Sequence, residues 1–277
     1  MTIPYTKMQG AGNDFIVIDN RTLKFSHEQL SQFAAQVCHR KFSVGADAVM
    51  AVDFPTGTAD FRMRFYNADG TEAEMCGNGA RCIARYAFEK GIAGEQMTIE
   101  TVAGDVPAWR LSTKHYKVTL NPPTVTTFDQ AYPNPMVSFV DYVELGDPGI
   151  PHAVVHYPGL AETELEQLAE LAKEIRYWEV FPKGANVNFY EEDDKGDLIV
   201  RTYERGVEGF TYACGTGSGA TAYVVTKRHQ QAVANVLLHV LGGELTVEVD
   251  VDQGALELIG DAVMVSEGLI LDENLTV

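Results

Sequence analysis

Two stretches, YNADGTEAEMCGNGARCIARY at Tyr66–Tyr86 and YERGVEGFTYACGTGSGATAY at Tyr203–Tyr223, carry one pattern twice. With one residue inserted ahead of the second cysteine, Cys76 falls on Cys214, Gly77 on Gly215, Gly79 on Gly217 and Ala84 on Ala222. Downstream, VAGDV at Val102–Val106 matches LGGEL at Leu241–Leu245 with a one-residue offset, each a glycine turn leading into a strand. Two spaced matches in the same order predict duplication of a domain of roughly 130 residues, with pseudo-symmetric halves. Each copy reads as a strand, a turn, and a Cys-Gly-Asn/Thr-Gly sequence opening a helix.

The rest of the chain agrees with a doubled domain. Its 277 residues are about twice the commonest single-domain size. Hydrophobic residues at 45% and charged residues at 22% are ordinary globular values and exclude a disordered, collagen-like or disulfide-dense chain. The formal charge of −18 repels a phosphate backbone, so neither nucleic acid nor an anionic membrane is an expected partner. No apolar run approaches the roughly 18 residues of a membrane span. The N-terminal MTIPYTKMQGAGNDF lacks the basic, apolar and small-residue order of a signal peptide, and a cytoplasmic location is expected. There the four cysteines, Cys38, Cys76, Cys82 and Cys214, stay reduced.

Strands and helices interleave along the chain without a low-complexity linker. KMQGAGNDFIVIDN reads as a strand, a Gly/Asn turn and the apolar run Phe15–Ile18. Ser26 caps a helix whose apolar spacing is Leu30, Phe33, Ala34 and Val37, with Cys38 on or beside that face. FRMRFYNADG alternates Phe61, Met63 and Phe65 into a turn, and ARCIARYAFEKG reads as a helix closed by Gly91. MTIETVAGDVPAW and KVTLNPPTV suggest two more strands. The proline-rich stretch from Pro122 to Pro135 is the expected crossover. Then come strand HAVVHY, helix ETELEQLAELAKEI, strands NVNFYE and DLIVRTYERG, a helix beginning near Gly217, and the alternating segments NVLLHVLGGELTVEVD and ALELIGDAVMVSEG. The expected boundaries are 1–121 plus about 264–277 for one half and 122–263 for the other, the last residues returning to complete the first copy.

A cysteine at a helix N-terminus feels the positive end of the macrodipole and nearby unpaired N–H groups, which stabilise a thiolate. The adjoining glycines let backbone amides approach a carboxylate. Two such ends facing one carboxylate-bearing carbon would suit removal of a proton from one face and delivery to the other. A buried cysteine in a glycine turn is more often a small hydrophobe, yet packing does not require cysteine at both copies of one helix start. A phosphate cradle is the next reading of CGTGSG and GAGNDF, but neither has the Lys-Ser/Thr of a P-loop or the dinucleotide spacing. Zinc is not expected, because Cys76 and Cys82 are six apart with no histidine nearby.

KMQGAGNDF, VGADAVM, FYNADGTEAEMCGNGARC, GANVNFY, YERGVEG and ACGTGSGA together resemble the diaminopimelate epimerase family, the two-cysteine amino-acid epimerases and racemases, nearly end to end. The resemblance implies a pair of α/β domains, each a curved, mostly antiparallel sheet wrapped round a central helix, with the active site in the cleft between them. It implies LL- to meso-diaminopimelate epimerisation, a step toward lysine and peptidoglycan, with no cofactor such as pyridoxal phosphate and no metal. Cys76 and Cys214 would be the two acid/base residues. The amides of Gly77-Asn78 and Gly215-Thr216 would hold the α-carboxylate and oppose the charge building on it. Asn13 would fix the reacting end, while Asn67, Asn186, Glu204 and Arg205 would hold the remaining polar groups, Arg205 suiting a carboxylate and Glu204 an ammonium.

Two departures bear on the substrate. Where many members have Asn before the Pro-His pair, GDPGIPHAVV has Ile150, which cannot donate a hydrogen bond to a distal charge. The usual Glu-Thr upstream of the second cysteine is Phe210-Thr211. Either loops have drifted or the pocket is reshaped for another amino acid, as in the histidine racemases of the superfamily. His152 reads as structural, and Cys38 and Cys82 as core residues. A non-catalytic amino-acid-binding protein is disfavoured because carboxylate binding needs the glycine-framed amides but not paired thiols. A relative isomerising another small metabolite is disfavoured because such relatives lose one or both thiols. Apolar strand edges are compatible with a homodimer.

Overall fold

The structure, a computed structural model, describes residues 2–271 and 273. It divides into two compact units, one of residues up to 118 together with those from 260 on, the other of residues 119–259. Part of the expected C-terminal return, residues 272 and 274–277, lies outside the described residues.

In the first unit, β1 (Thr2–Gly10) and β2 (Asn13–Asp19) form a hairpin with Gly10 opposite Asn13. Its two loop residues, Ala11 and Gly12, both have positive φ, 51° and 83°. That is the handedness that matches the twist of the flanking strands. A short helix α1 (Asn20–Leu23) leads to α2 (His27–Val37). Ser26 closes a full capping box with Gln29, satisfying two otherwise orphaned N–H groups. Leu30, Phe33, Ala34 and Val37 are all buried, and each large apolar side chain so buried contributes about 1.5–3 kcal/mol.

The helix α2 carries the chain over to β3 (Ala48–Asp53), parallel to β2 with Phe15 opposite Ala48. β4 (Phe61–Asn67) runs antiparallel to β3, and β5 (Glu72–Ala73) folds back on it. Then α3 (Gly77–Glu89) crosses to β6 (Gln96–Thr101), parallel to β4; the antiparallel β7 (Gly104–Arg110) and β8 (His115–Leu120) follow.

The second unit repeats this plan. β9 (Pro123–Asn134), β10 (Val137–Leu145) and β11 (Ile150–His156) are antiparallel in turn. α4 (Leu165–Arg176) crosses to β12 (Asn186–Glu192), parallel to β11 as β3 is to β2. β13 (Leu198–Glu204) is antiparallel to β12 and carries the short β14 (Gly209–Thr211). α5 (Gly215–Arg228) then crosses to β15 (Val233–Val240), parallel to β13, and β16 (Gly243–Asp250) pairs back on β15. β17 (Ala255–Asp261) ends the repeat, and β18 (Val263–Leu271), which belongs to the first unit, lies there antiparallel to β1. The duplication seen in the sequence is therefore a duplication of topology, and the strands of each unit pair mostly antiparallel, as expected.

Each unit's strands surround the helix that follows its N-cap cysteine. α3 packs against β1, β2, β3, β6 and β7, and α5 against β10, β11, β12, β15 and β16. A helix covered on every side must be small or internally satisfied. Accordingly Gly79 sits where a Cβ would lie 2.9 Å from Met50 Sδ, and Gly219 where it would lie 2.6 Å from Leu120. The buried Thr221 and Thr226 hydroxyls donate to the carbonyls of Gly217 and Ala222 one turn back.

Several local expectations need correction. The stretch Pro122–Pro135, expected to be the crossover, holds the twelve-residue β9, and the division between the units falls just ahead of it, between residues 118 and 119. Pro123 opens that strand and Pro133 is its penultimate residue, places where a missing N–H is tolerated. MTIETVAGDVPAW is a hairpin of two strands, β6 and β7, because the glycine turn at Gly104 (φ 108°) reverses the chain. Both helices opened by the cysteines begin directly after them, at Gly77 and Gly215.

Candidate active site

In both copies the cysteine is the N-cap of the central helix, with extended backbone angles that end the preceding segment and start the helical one. Its carbonyl accepts the first helical bond, from Ala80 N–H in one unit (2.7 Å) and Ser218 N–H in the other (2.9 Å). The following N–H groups lie in the first turn, where a helix has no internal acceptor for them. Gly77-Asn78 and Gly215-Thr216, the expected carboxylate-binding amides, occupy those positions.

The thiols differ in their partners. Cys76 is half-buried, and its Sγ donates to Asn13 Oδ1 at 3.5 Å. Cys214 is buried, and its Sγ accepts from Gly217 N–H at 3.3 Å and lies 3.6 Å from the Thr216 hydroxyl. The other two cysteines are core residues, as expected: Cys38 and Cys82 are 4% and 0% exposed, and burial pushes both thiols up to about 12.

Around Cys76, Asn13 opens β2 directly after the hairpin turn, and its amide nitrogen donates to Asp47 Oδ2 at 2.8 Å. Asn67 ends β4 and bonds within its turn, Nδ2 donating to Thr71 Oγ1 at 3.0 Å. The Asn78 side chain turns inward, its oxygen accepting from the fully buried Arg81 guanidinium at 3.0 Å. Its first-turn position makes the backbone of Asn78 the group suited to a ligand.

Around Cys214 the sheet supplies a second set. Asn186 opens β12 and ties three segments, its Oδ1 accepting from Arg205 N–H at 2.9 Å and its Nδ2 donating to the Pro151 carbonyl at 3.1 Å. Glu204 ends β13 and accepts from the Thr211 hydroxyl at 2.5 Å, while the Arg205 guanidinium reaches the Lys183 carbonyl at 3.3 Å. Asn67, Asn13 and Cys76 thus belong to one unit, and Asn186, Glu204, Arg205 and Cys214 to the other.

His152 is structural as expected. It is fully buried, its ring nitrogen faces Asn188 at 3.3 Å, and burial followed by the nearby Arg205 charge lowers its pKa to about 3. Asn188 links it to the Ala153 carbonyl and accepts from the Thr202 hydroxyl at 3.0 Å. Gly217 packs against this amide, and any Cβ there would fall on the Asn188 oxygen. Phe210 lies edge-on to Tyr203 at 5.5 Å and packs against the core formed with α4, which gives an aromatic side chain at this position a packing reason. Ile150 opens β11, half-buried and opposite Leu145.

Sequence reading passed over Asp47, Arg81 and Asn188. Asp47 lies within the motif VGADAVM, and Arg81 is a lone charge among small apolar residues in GARCIA. Both were visible signals without a partner to give them meaning. Asp193, Asp197 and His239 approach one another, but the Asp193 carboxylate caps its own turn, accepting from Lys195 and Asp197 N–H. Among the described residues no helix is long and apolar enough to cross a membrane.

Comparison with known proteins identifies the class. The solved hydroxyproline epimerase of Agrobacterium vitis, with bound trans-4-hydroxy-L-proline, superposes with a TM-score of 0.72 over 99% of this chain and 94% of its own at 18% identity. A phenazine biosynthesis PhzF family protein of Enterococcus faecalis does so with a TM-score of 0.71 over 97% and 99%, at 15% identity. The fold is thus one that epimerases share. In sequence, the family description "Diaminopimelate epimerase" matches residues 5–125 and 146–265. The diaminopimelate epimerase of Archaeoglobus fulgidus is 38% identical over 98% of this chain and 97% of its own. That of Aquifex aeolicus is 37% identical over 98% and 99%. The chain belongs to the diaminopimelate epimerase family and is an isomerase.

Proposed function

We propose that the chain interconverts LL- and meso-diaminopimelate by inverting one α-carbon, with Cys76 and Cys214 as the acid/base pair and no cofactor. The observation that carries this reading is the duplicated N-cap cysteine: two copies of one fold each place a thiol at the head of a buried helix beside first-turn amides. The relatives' names supply the substrate.

In each turnover one thiolate takes the α-proton and becomes a thiol. The C–H electron pair remains on Cα and delocalises into the α-carboxylate, whose growing charge faces the amides of Gly77-Asn78 and Gly215-Thr216. The other thiol delivers its proton to the opposite face and becomes a thiolate. Which cysteine acts as base depends on the configuration of the substrate. Asn67, Asn186, Glu204 and Arg205 hold the distal amino and carboxyl groups, Arg205 by its charge and Glu204 by its opposite one.

Incubation with LL-diaminopimelate in deuterium oxide tests the reading. Solvent deuterium enters at Cα with inversion, without added pyridoxal phosphate, and Cys76→Ala and Cys214→Ala each abolish turnover. Full activity in both variants would overturn the mechanism, and conversion of L-histidine with none of diaminopimelate would overturn the substrate.

A further inference from the structure

We propose that Asp47 is a positioning residue: its carboxylate holds the Asn13 amide with the carbonyl oxygen, and not the amino group, toward the Cys76 sulfur, and so favours the thiol form of Cys76. The inference rests on the acid/base role proposed for Cys76.

An ionised carboxylate only accepts hydrogen bonds. With Asp47 Oδ2 at 2.8 Å from Asn13 Nδ2, the nitrogen end of the amide must face Asp47, and the oxygen end is left for Cys76, 3.5 Å from its Sγ. A sulfur opposite a carbonyl oxygen is favoured with its proton on; opposite an N–H donor it is favoured without one. Cys214 meets the second situation, since Gly217 N–H points at its sulfur. These two contacts, the Asn13 oxygen on Cys76 and the Gly217 N–H on Cys214, act in opposite directions on the two thiols, while the configuration of the substrate still sets which one is the base in a given turnover.

Asp47 is itself fixed. Arg40 Nη2 donates to its other oxygen at 2.8 Å, and Asp14 N–H donates to Oδ2 at 3.2 Å. Asp47 N–H returns a bond to Asp14 Oδ1 at 3.0 Å. Arg40 grips both oxygens of Asp14, at 3.0 and 2.6 Å, and Lys7 adds an ion pair to Asp14 at 2.7 Å. The Lys7 ammonium also donates to the carbonyl of Gly45. That residue has φ 76°, and a Cβ there would lie 2.6 Å from Arg40 Cα, so the loop closes on Arg40 only with glycine.

Other groups around Cys76 within its unit are Arg81 and Cys82 on α3 and, through Arg81, Asp261 on β17. Buried Arg81 favours the thiolate. The Lys7 and Arg40 charges are matched by those of Asp14 and Asp47. The Asn13 carbonyl opposes Arg81, and turning the amide would reverse its contribution.

A double-mutant cycle separates orientation from charge. Each protein is pulse-alkylated with iodoacetamide between pH 5 and 10, and modification of Cys76 is followed by peptide mass spectrometry. Cys38 and Cys82 stay unlabelled while the protein is folded and so report unfolding. Asp47→Asn frees the Asn13 amide to turn its N–H toward sulfur, and the labelling midpoint of Cys76 falls by about one pH unit, about a tenfold gain in thiolate below it. In the Asn13→Ala background the same change moves the midpoint by less than about a quarter of that. An equal shift in both backgrounds would mean that Asp47 acts only through its charge, and no shift in the parent would mean that it does not orient Asn13; either result overturns the proposal. If labelling of Cys38 and Cys82 shows that Asp47→Asn unfolds, Asp47→Ser is read through the same cycle. No substrate enters this measurement, so its outcome is separate from that of the deuterium experiment.

Discussion

At Gly217 a hydrogen atom in place of a methyl decides how close α5 lies to the sheet. A Cβ would displace the Asn188 amide, which holds Thr202 and the buried His152 in one network. Gly217→Ala is therefore expected to cost about 2–3 kcal/mol, from overpacking plus the loss of buried hydrogen bonds, read from denaturant midpoints. The same residue supplies the N–H that faces Cys214, so on the proposed mechanism a loss of turnover accompanies the stability loss. Gly57, with nothing within 4 Å of its would-be Cβ and no positive φ, is the matching control: Gly57→Ala leaves stability within about 0.5 kcal/mol.

Among the elements, α2 shows how a local signal and tertiary burial combine. The Ser26–Gln29 box satisfies the first turn, and four apolar side chains on one face bury against the sheet. Ser26→Ala removes the cap without touching that face, and a loss of about 1 kcal/mol is expected in equilibrium unfolding, with the proposed epimerase turnover unchanged. The central helices α3 and α5 behave differently. They lack a polar face for water, and their start points are set by Cys76 and Cys214 in extended conformation. Their stability comes from enclosure by strands on all sides.

For the molecule as a whole, acid is the weak direction, and two groups with large shifts are part of the reason. His152 titrates near 6.5 in the unfolded chain but only at about 3 in the folded one, because burial penalises its charged form. Its contribution is fully present above about pH 6.5 and is lost as the pH falls from there toward 3. Asp14 follows lower down. Burial raises its pKa, but hydrogen bonds from Arg40 and Lys7 outweigh this and bring it from 3.8 to about 2, so its contribution is present above about pH 4 and fades toward 2. Allowing for solvent screening of the exposed Arg40, Asp14 is worth about 1 kcal/mol. Thermal unfolding between pH 7 and 4 should show a falling melting temperature, and His152→Gln should flatten that slope. An unchanged slope in the variant would remove His152 as the cause.

The sequence by itself determined the duplication, the fold class and the equivalent placing of two cysteines at helix starts. Repeats, capping boxes and strand alternation are local patterns, written in residues a few positions apart. It also pointed to the nature of Cys38 and Cys82, since neither opened a duplicated helix. It missed that the proline-rich stretch beside the unit boundary is a strand, β9, and merged hairpins into single strands, because the pairing that makes a strand is a property of its neighbour. Tertiary structure alone decided that Asp47 meets Asn13, that Arg81 is buried behind Cys76, and that Asn188 underlies Gly217. Asn13 and Asp47 are 34 positions apart, and Asn188 and Gly217 lie on different elements. Hydrogen-bond direction and close packing depend on distances that no spacing along the chain encodes. The repeat therefore predicts two equivalent thiols, whereas the folded chain gives one a carbonyl oxygen and the other an N–H.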